Sequence, residues 1–283
     1  MPGLRLAGGF ASCPLVTFTP LSRPVLTVAL SLALLLEATA QAKPENMQIF
    51  LLIGQSNMAG RGAVEAQDQR PHPRVFMLTK ELAWVPAVDP MHFDKPAIIG
   101  TGLGKTFGTV LADADPAAVI GLVPAAFGGS ALGEWTPGSL HYVNAVARTK
   151  EALKHGRLAG ILWHQGEADS APEKAATYAV RFAKLIAHLR ADLDAQEVPV
   201  VVGETGRFRA DSGAINAAIA GLPQFVPRCA FVSVEGLADK GDKIHFDSPA
   251  FRELGRRYAA AWLTLQPAPV TMLNPMILVP KAK

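Results

Sequence analysis

Five short apolar runs alternate with helix-forming segments along the chain, and that alternation leaves few folds open. The runs are Met47–Gly54, Ala118–Pro124, Leu158–His164, Val198–Gly203 and Cys229–Val234. Each is apolar almost throughout, with no polar residue at every second position. Strands that read this way are buried on both faces. Between and after them lie Thr101–Ala114, Tyr142–His155, Pro172–Leu193, Ala214–Ala220 and Pro249–Leu263, which read as helices. In the longest, Tyr178, Phe182, Leu185, Ile186 and Leu189 fall on one face at helical spacing. Strands alternating with helices predict an α/β chain: a mostly parallel sheet of about five strands between two helical layers. Residues 61–100 hold several prolines and no period, and are expected to form an excursion at the rim of a site.

The N-terminus reads as an address and not as part of that sheet. Val25–Leu36 is an apolar stretch of about a dozen residues, too short to span a bilayer comfortably. Arg5 and Arg23 precede it, and Ala38-Thr39-Ala40 and Ala40-Gln41-Ala42 follow as small-x-small cleavage sites. This is the layout of a secretory signal peptide. The expected organisation is therefore a signal peptide over 1–42, one domain over 43–266 and a Pro-rich tail over 267–283. An uncleaved anchor is the alternative. The expected location is outside the cytoplasm, periplasmic or secreted, with no stable membrane span after cleavage. Removal of Cys13 leaves Cys229 alone, so no disulfide forms within the mature chain. Cys229 lies in an apolar run and reads as a small buried hydrophobe. A hydrophobic share of 49% supplies an ample core, and a formal net charge of +3 with no run of Lys and Arg leaves no footprint for nucleic acid.

Ligands of parallel sheets gather at the carboxyl ends of the strands. After the first run comes Gly54-Gln55-Ser56-Asn57-Met58, a serine on a tight turn into a helix. Taken alone, Ser56 reads equally as a nucleophile and as a helix N-cap. No G-x-S-x-G elbow is present. After the second run come Gly128-Gly129-Ser130, where paired glycines let the backbone approach a ligand. After the third come Trp163-His164-Gln165-Gly166-Glu167, with a side-chain amide suited to holding an oxyanion. Before the last helix comes Asp242-Lys243-Ile244-His245-Phe246, where a carboxylate can orient an imidazole. Each block alone has an ordinary reading as a turn, a polar loop or a surface pair. Together they supply nucleophile, donors, base and orienter at matching strand ends. Gly100–Thr106 is glycine-rich but lacks the spacing of a phosphate loop.

G-Q-S-N-M, G-G-S, W-H-Q-G-E and D-x-x-H-F, in this order, resemble the sialate O-acetylesterase and acetylxylan esterase group. This is family six of the carbohydrate esterases, within the SGNH hydrolases. The resemblance covers roughly Gln48 to Leu263 and implies a three-layer, flavodoxin-like α/β/α sandwich. It implies Ser56 as nucleophile, His245 as general base and Asp242 as its orienter. It places the Ser56 N–H, Gly129 and the Gln165 side chain in the oxyanion hole. Gly128, Gln55, Asn57 and Glu167 support them, Glu167 by assisting the histidine or by organising its loop. Trp135 and Arg61 are the implied substrate contacts. The classical SGNH third block carries Asn where Gln165 stands, whereas the carbohydrate-esterase branch carries Gln there as this chain does. The implied reaction is removal of O-acetyl groups from an acetylated carbohydrate through an acetyl-enzyme, with no cofactor and no metal. The alternatives are a lipase or thioesterase acting on other acyl esters, and a non-catalytic carbohydrate-binding protein on the same fold.

Overall fold

A computed structural model of the chain describes residues 45–267. The signal-peptide reading of residues 1–42 lies outside the described residues, as does the tail beyond its first residue. Seven strands form one sheet: β1 (Met47–Gly54), β2 (Val75–Leu78), β3 (Trp84–Pro86), β4 (Ile120–Pro124), β5 (Gly156–His164), β6 (Val200–Gly203) and β7 (Cys229–Val232). Their order is β3-β2-β4-β1-β5-β6-β7, parallel throughout except for the edge strand β3. The count of about five is thus corrected to seven. The two extra strands, β2 and β3, lie in the proline-rich stretch 61–100. At four and three residues they are too short to show a period, and they extend the sheet only because β4 offers a free edge.

The helices are α1 (Ser56–Ala59), α2 (Gly104–Ala114), α3 (Leu140–Ala152), α4 (Pro172–Asp192), α5 (Gly213–Ala220) and α6 (Ser248–Thr264). Side chains of β1 alternate between two cores, as strand geometry requires. Ile49, Leu51 and Ile53 pack with α3, α4 and α5 through Tyr142, Phe182 and Ile215. Phe50 and Leu52 pack with α2 and α6 through Phe107, Leu254 and Trp262. Full burial of side chains such as Phe50, Leu52 and Phe107 contributes roughly 1.5–3 kcal/mol each. Cys229 is buried in the first core, and burial pushes its thiol up to about 12, consistent with an inert hydrophobe.

Helix α2 follows β1 on one face, whereas α3 follows β4 on the other. The carboxyl ends of β1 and β4 therefore border a crevice where the winding reverses. The loop after α1 is drawn against residues 100–102 by paired backbone bonds, Gly62 N–H to Thr101 O and Thr101 N–H to Gly62 O. The glycines of that loose phosphate-loop look-alike serve this close approach. A Cβ on Gly100 would lie 1.9 Å from the Gly62 carbonyl oxygen. Among the described residues, no helix is long and apolar enough to cross a membrane.

Candidate active site

Strand β1 ends at Gly54, which takes φ +128°, and a Cβ there would lie 2.2 Å from the His164 carbonyl oxygen on β5. Only glycine fits this crossing. Gln55 N–H then donates to His164 O at 3.0 Å, which fixes the turn to the end of β5. Gln55, not Ser56, occupies the cap position of α1 and makes no side-chain cap bond. The N-cap reading of Ser56 therefore fails. Ser56 opens the single-turn helix, is 7% exposed, and its Oγ lies 3.0 Å from His245 Nε2.

His245 stands in a loop shaped by two aspartates. Asp239 Oδ2 accepts from Gly241 N–H and Lys243 N–H, and Asp242 Oδ1 accepts from Ile244 N–H and His245 N–H. Asp242 Oδ2 lies 2.7 Å from His245 Nδ1. Burial opposes the Asp242 charge, yet the two backbone N–H groups and the imidazole hold its carboxyl far below the usual range. An ionised Asp242 fixes the His245 proton on Nδ1 and leaves the Nε2 lone pair facing the Ser56 hydroxyl. Burial lowers the His245 pKa below its ordinary value, against the pull of Asp242. The imidazole is therefore neutral and basic at neutral pH.

Asn57 ties this loop to the turn that carries Ser56. Its Nδ2 donates to Glu167 Oε1 at 2.5 Å and to Ile244 O at 3.0 Å, and its Oδ1 accepts from Phe246 N–H at 3.3 Å. The backbone on both sides of His245 is thus held by one buried side chain. Glu167 bonds Asn57 and makes no hydrogen bond to His245 among the described residues, so of its two expected roles the geometry supports loop organisation. Burial raises the Glu167 pKa.

Three expectations are corrected. Gln165 is fully buried, and its Nε2 donates to Asp169 Oδ2 at 2.7 Å and Ser130 O at 3.2 Å. Its Oε1 accepts from the Tyr178 hydroxyl at 2.8 Å. With both amide hydrogens taken, Gln165 braces the loop before Ala131 and offers no donor to an oxyanion. Trp135 is 1% exposed, with Nε1 on Ser130 Oγ and its ring edge-on to Trp163, so it cannot stack on a substrate. Arg61 is buried in an ion pair with Asp94 at 2.6 Å and donates to Gly60 O, so it is closed to a substrate. The same Asp94 Oδ2 accepts from Gly128 N–H at 2.8 Å, so the pair fixes the glycine turn.

Two backbone donors remain open. Ser56 N–H and Gly129 N–H have no acceptor among the described residues, and Gly129 turns at φ +87°. Gln55 Oε1 accepts from Ala168 N–H at 3.4 Å. Sequence reasoning missed Asp94, Asp169 and Tyr178. Asp94 sits in the aperiodic stretch and carried no signal. Asp169 lies two residues past Glu167, where a polar loop residue draws no notice. Among the described residues, no group of three or more His, Cys, Asp and Glu side chains is placed to hold a metal ion. The arrangement can deprotonate a hydroxyl at Ser56 and hold a negative oxygen beside it.

A family model described as a carbohydrate esterase, sialic acid-specific acetylesterase, matches residues 46–264. A probable carbohydrate esterase of Arabidopsis thaliana is 34% identical over 237 residues, 77% of this chain and 90% of the relative. The X-ray structure of that plant protein superposes with a TM-score of 0.73 at 32% identity, covering 78% of this chain and 99% of its own. The crystal structure of NanS gives a TM-score of 0.66 at 19% identity over 78% of this chain and 98% of its own. A carbohydrate acetylesterase from Xanthomonas citri gives 0.58 at 19% identity, over 76% of this chain and 55% of its own. The last two show a shared fold.

Proposed function

The chain belongs to the carbohydrate esterase family of sialic acid-specific acetylesterases and is a carboxylic ester hydrolase, and from this we propose that it removes O-acetyl groups from carbohydrates with Ser56 as nucleophile. One observation carries the reading: Ser56 Oγ is 3.0 Å from His245 Nε2, whose Nδ1 is 2.7 Å from Asp242. Ser56 Oγ attacks the acetyl carbonyl as its proton passes to His245 Nε2. The C=O bond opens to an oxyanion held by the Ser56 and Gly129 N–H groups. Each such donor contributes about 10²–10³ in rate. Collapse breaks the ester bond. The sugar oxygen leaves with the proton from His245, and an acetyl group stays on Ser56. Water then gives a proton to His245, attacks the acetyl-enzyme, and acetate departs as Ser56 recovers its proton. Asp242 holds the imidazolium formed in both halves.

Acetate release from acetylated xylan fragments and O-acetylated sialic acid tests the reading, with Ser56→Ala as control. Wild-type release, loss of that release in Ser56→Ala, and an acetylated Ser56 peptide after rapid acid quench are expected. Undiminished release by Ser56→Ala would refute the nucleophile. We also propose export, on the apolar run Val25–Leu36 followed by small-residue cleavage sites. N-terminal sequencing of the protein recovered outside the cytoplasm is expected to begin near Lys43, and an intact Met1 there would overturn it.

A further inference from the structure

A cavity of about 390 Å³ opens where the carboxyl ends of β2 and β4 meet the first turns of α3. Its size falls within the range of small-molecule sites, roughly 300–1,000 Å³. Lys80 lines it just past β2, Ala126 and Phe127 line it just past β4, and Leu140, His141 and Asn144 close it from α3. Backbone bonds tie its wall to the strand end that leads into the Ser56 turn. Phe127 N–H donates to Gly54 O at 3.0 Å, two residues before Ser56, and Asp94 lines the cavity while bonding Gly128 N–H.

Phe127 is 40% exposed, although its ring is held against His141 with centroids 4.3 Å apart and planes 26° apart. Leu140, beside it, is 78% exposed. An exposed aromatic ring held in the wall of a cavity offers a ligand a fixed apolar face. The rest of the lining is mixed: Phe93, Pro124, Ala125 and Ala126 are apolar, and Lys80 and Asn144 are exposed polar groups among them. Such a surface suits a ring with an apolar C–H face and a rim of hydroxyls. We propose that this cavity is the glycan subsite, with Phe127 stacking on the pyranose ring that carries or adjoins the acetyl ester. The proposal rests on the carbohydrate esterase reading above. It moves substrate recognition from the buried Trp135 to Phe127.

The test compares kcat/KM for an acetylated xylo-oligosaccharide, O-acetylated N-acetylneuraminic acid, 4-nitrophenyl acetate and 4-nitrophenyl octanoate. In Phe127→Ala, the ratio for the saccharide ester over 4-nitrophenyl acetate is expected to fall about tenfold, the scale of one aromatic contact. The loss appears mainly in KM, and Phe127→Trp restores the ratio. An unchanged ratio in Phe127→Ala overturns the subsite and leaves the esterase reading intact. So does a fall confined to the octanoate, which would make the cavity an acyl pocket. A wild type that cleaves 4-nitrophenyl esters but neither saccharide ester refutes the carbohydrate reading itself.

Discussion

Replacing Asn57 with alanine separates the holding of the histidine from its chemistry. Asn57 makes no side-chain hydrogen bond to Ser56 or to the His245 ring among the described residues. It bonds Glu167 Oε1, Ile244 O and Phe246 N–H, and it is fully buried. Asn57→Ala leaves Glu167 Oε1 and Phe246 N–H buried without partners, whereas Ile244 O lies near the surface and regains water. Each buried orphan costs about 1–3 kcal/mol, so a loss of about 3 kcal/mol is expected. A domain with ordinary stability of roughly 5–15 kcal/mol stays folded under that loss. The two residues flanking His245 lose their tether, and a displacement of about 1 Å at the base costs about 10²-fold in kcat. Urea unfolding followed by tryptophan fluorescence gives the first quantity, and steady-state hydrolysis of 4-nitrophenyl acetate gives the second. A stability loss under about 1 kcal/mol, together with kcat within about threefold of wild type, would refute the reasoning. A double-mutant cycle of Asn57→Ala with Glu167→Ala measures the 2.5 Å bond itself and is expected to show strong coupling.

Asp242→Asn keeps an acceptor for the backbone N–H groups but removes the charge that fixes the imidazole tautomer, so kcat is expected to fall about 10⁴-fold at near-native stability. Because burial lowers the His245 pKa, kcat/KM should hold a plateau through neutral pH and fall only on acidification below about 6.5; a midpoint above that value would contradict the assignment. Glu167 has a raised pKa, so its contribution to stability is complete below the ordinary carboxyl value and is lost as pH rises through the raised one. Glu167→Gln, which keeps an acceptor for Asn57, is therefore expected to gain on wild type in unfolding free energy as pH rises, and a gap that widens against it would be the wrong sign. Gly54→Ala places a methyl 2.2 Å from the His164 carbonyl oxygen at a positive φ and is expected to lose several-fold in soluble yield, read against Gly213→Ala, where no atom lies within 4 Å.

Much of the sheet was legible because its central strands are buried on both faces. β1 was predicted at the bounds it has, and β5 and α4 within two residues. β2 and β3 escaped notice because a strand of three or four residues beside prolines owes its pairing to the neighbour it meets. The residue types of the candidate site were legible from their places at strand ends. Their partners were not, and three expectations were corrected for that reason. Trp135, Arg61 and Gln165 are polar or aromatic residues next to a reactive turn, and such residues serve a substrate or a scaffold with equal ease. What decided each was its bonding partner in the folded chain: Ser130 and Trp163, Asp94, and Asp169 with Tyr178. Phe127 shows the converse, since only packing reveals that its ring stays in water.

The two halves of the candidate site are expected to open to solvent at very different free energies. Ser56 follows the strand at the centre of the sheet, bonded by β4 on one side and β5 on the other. Such backbone exchanges its amide hydrogens only through near-global unfolding. His245 follows four exposed residues, Gly241 to Ile244, and leans on Asn57 for its place. That arm opens locally at far lower free energy. Warming should therefore disarm the protein before it melts it: the histidine arm swings free while the serine is still locked in the sheet, and activity returns on cooling.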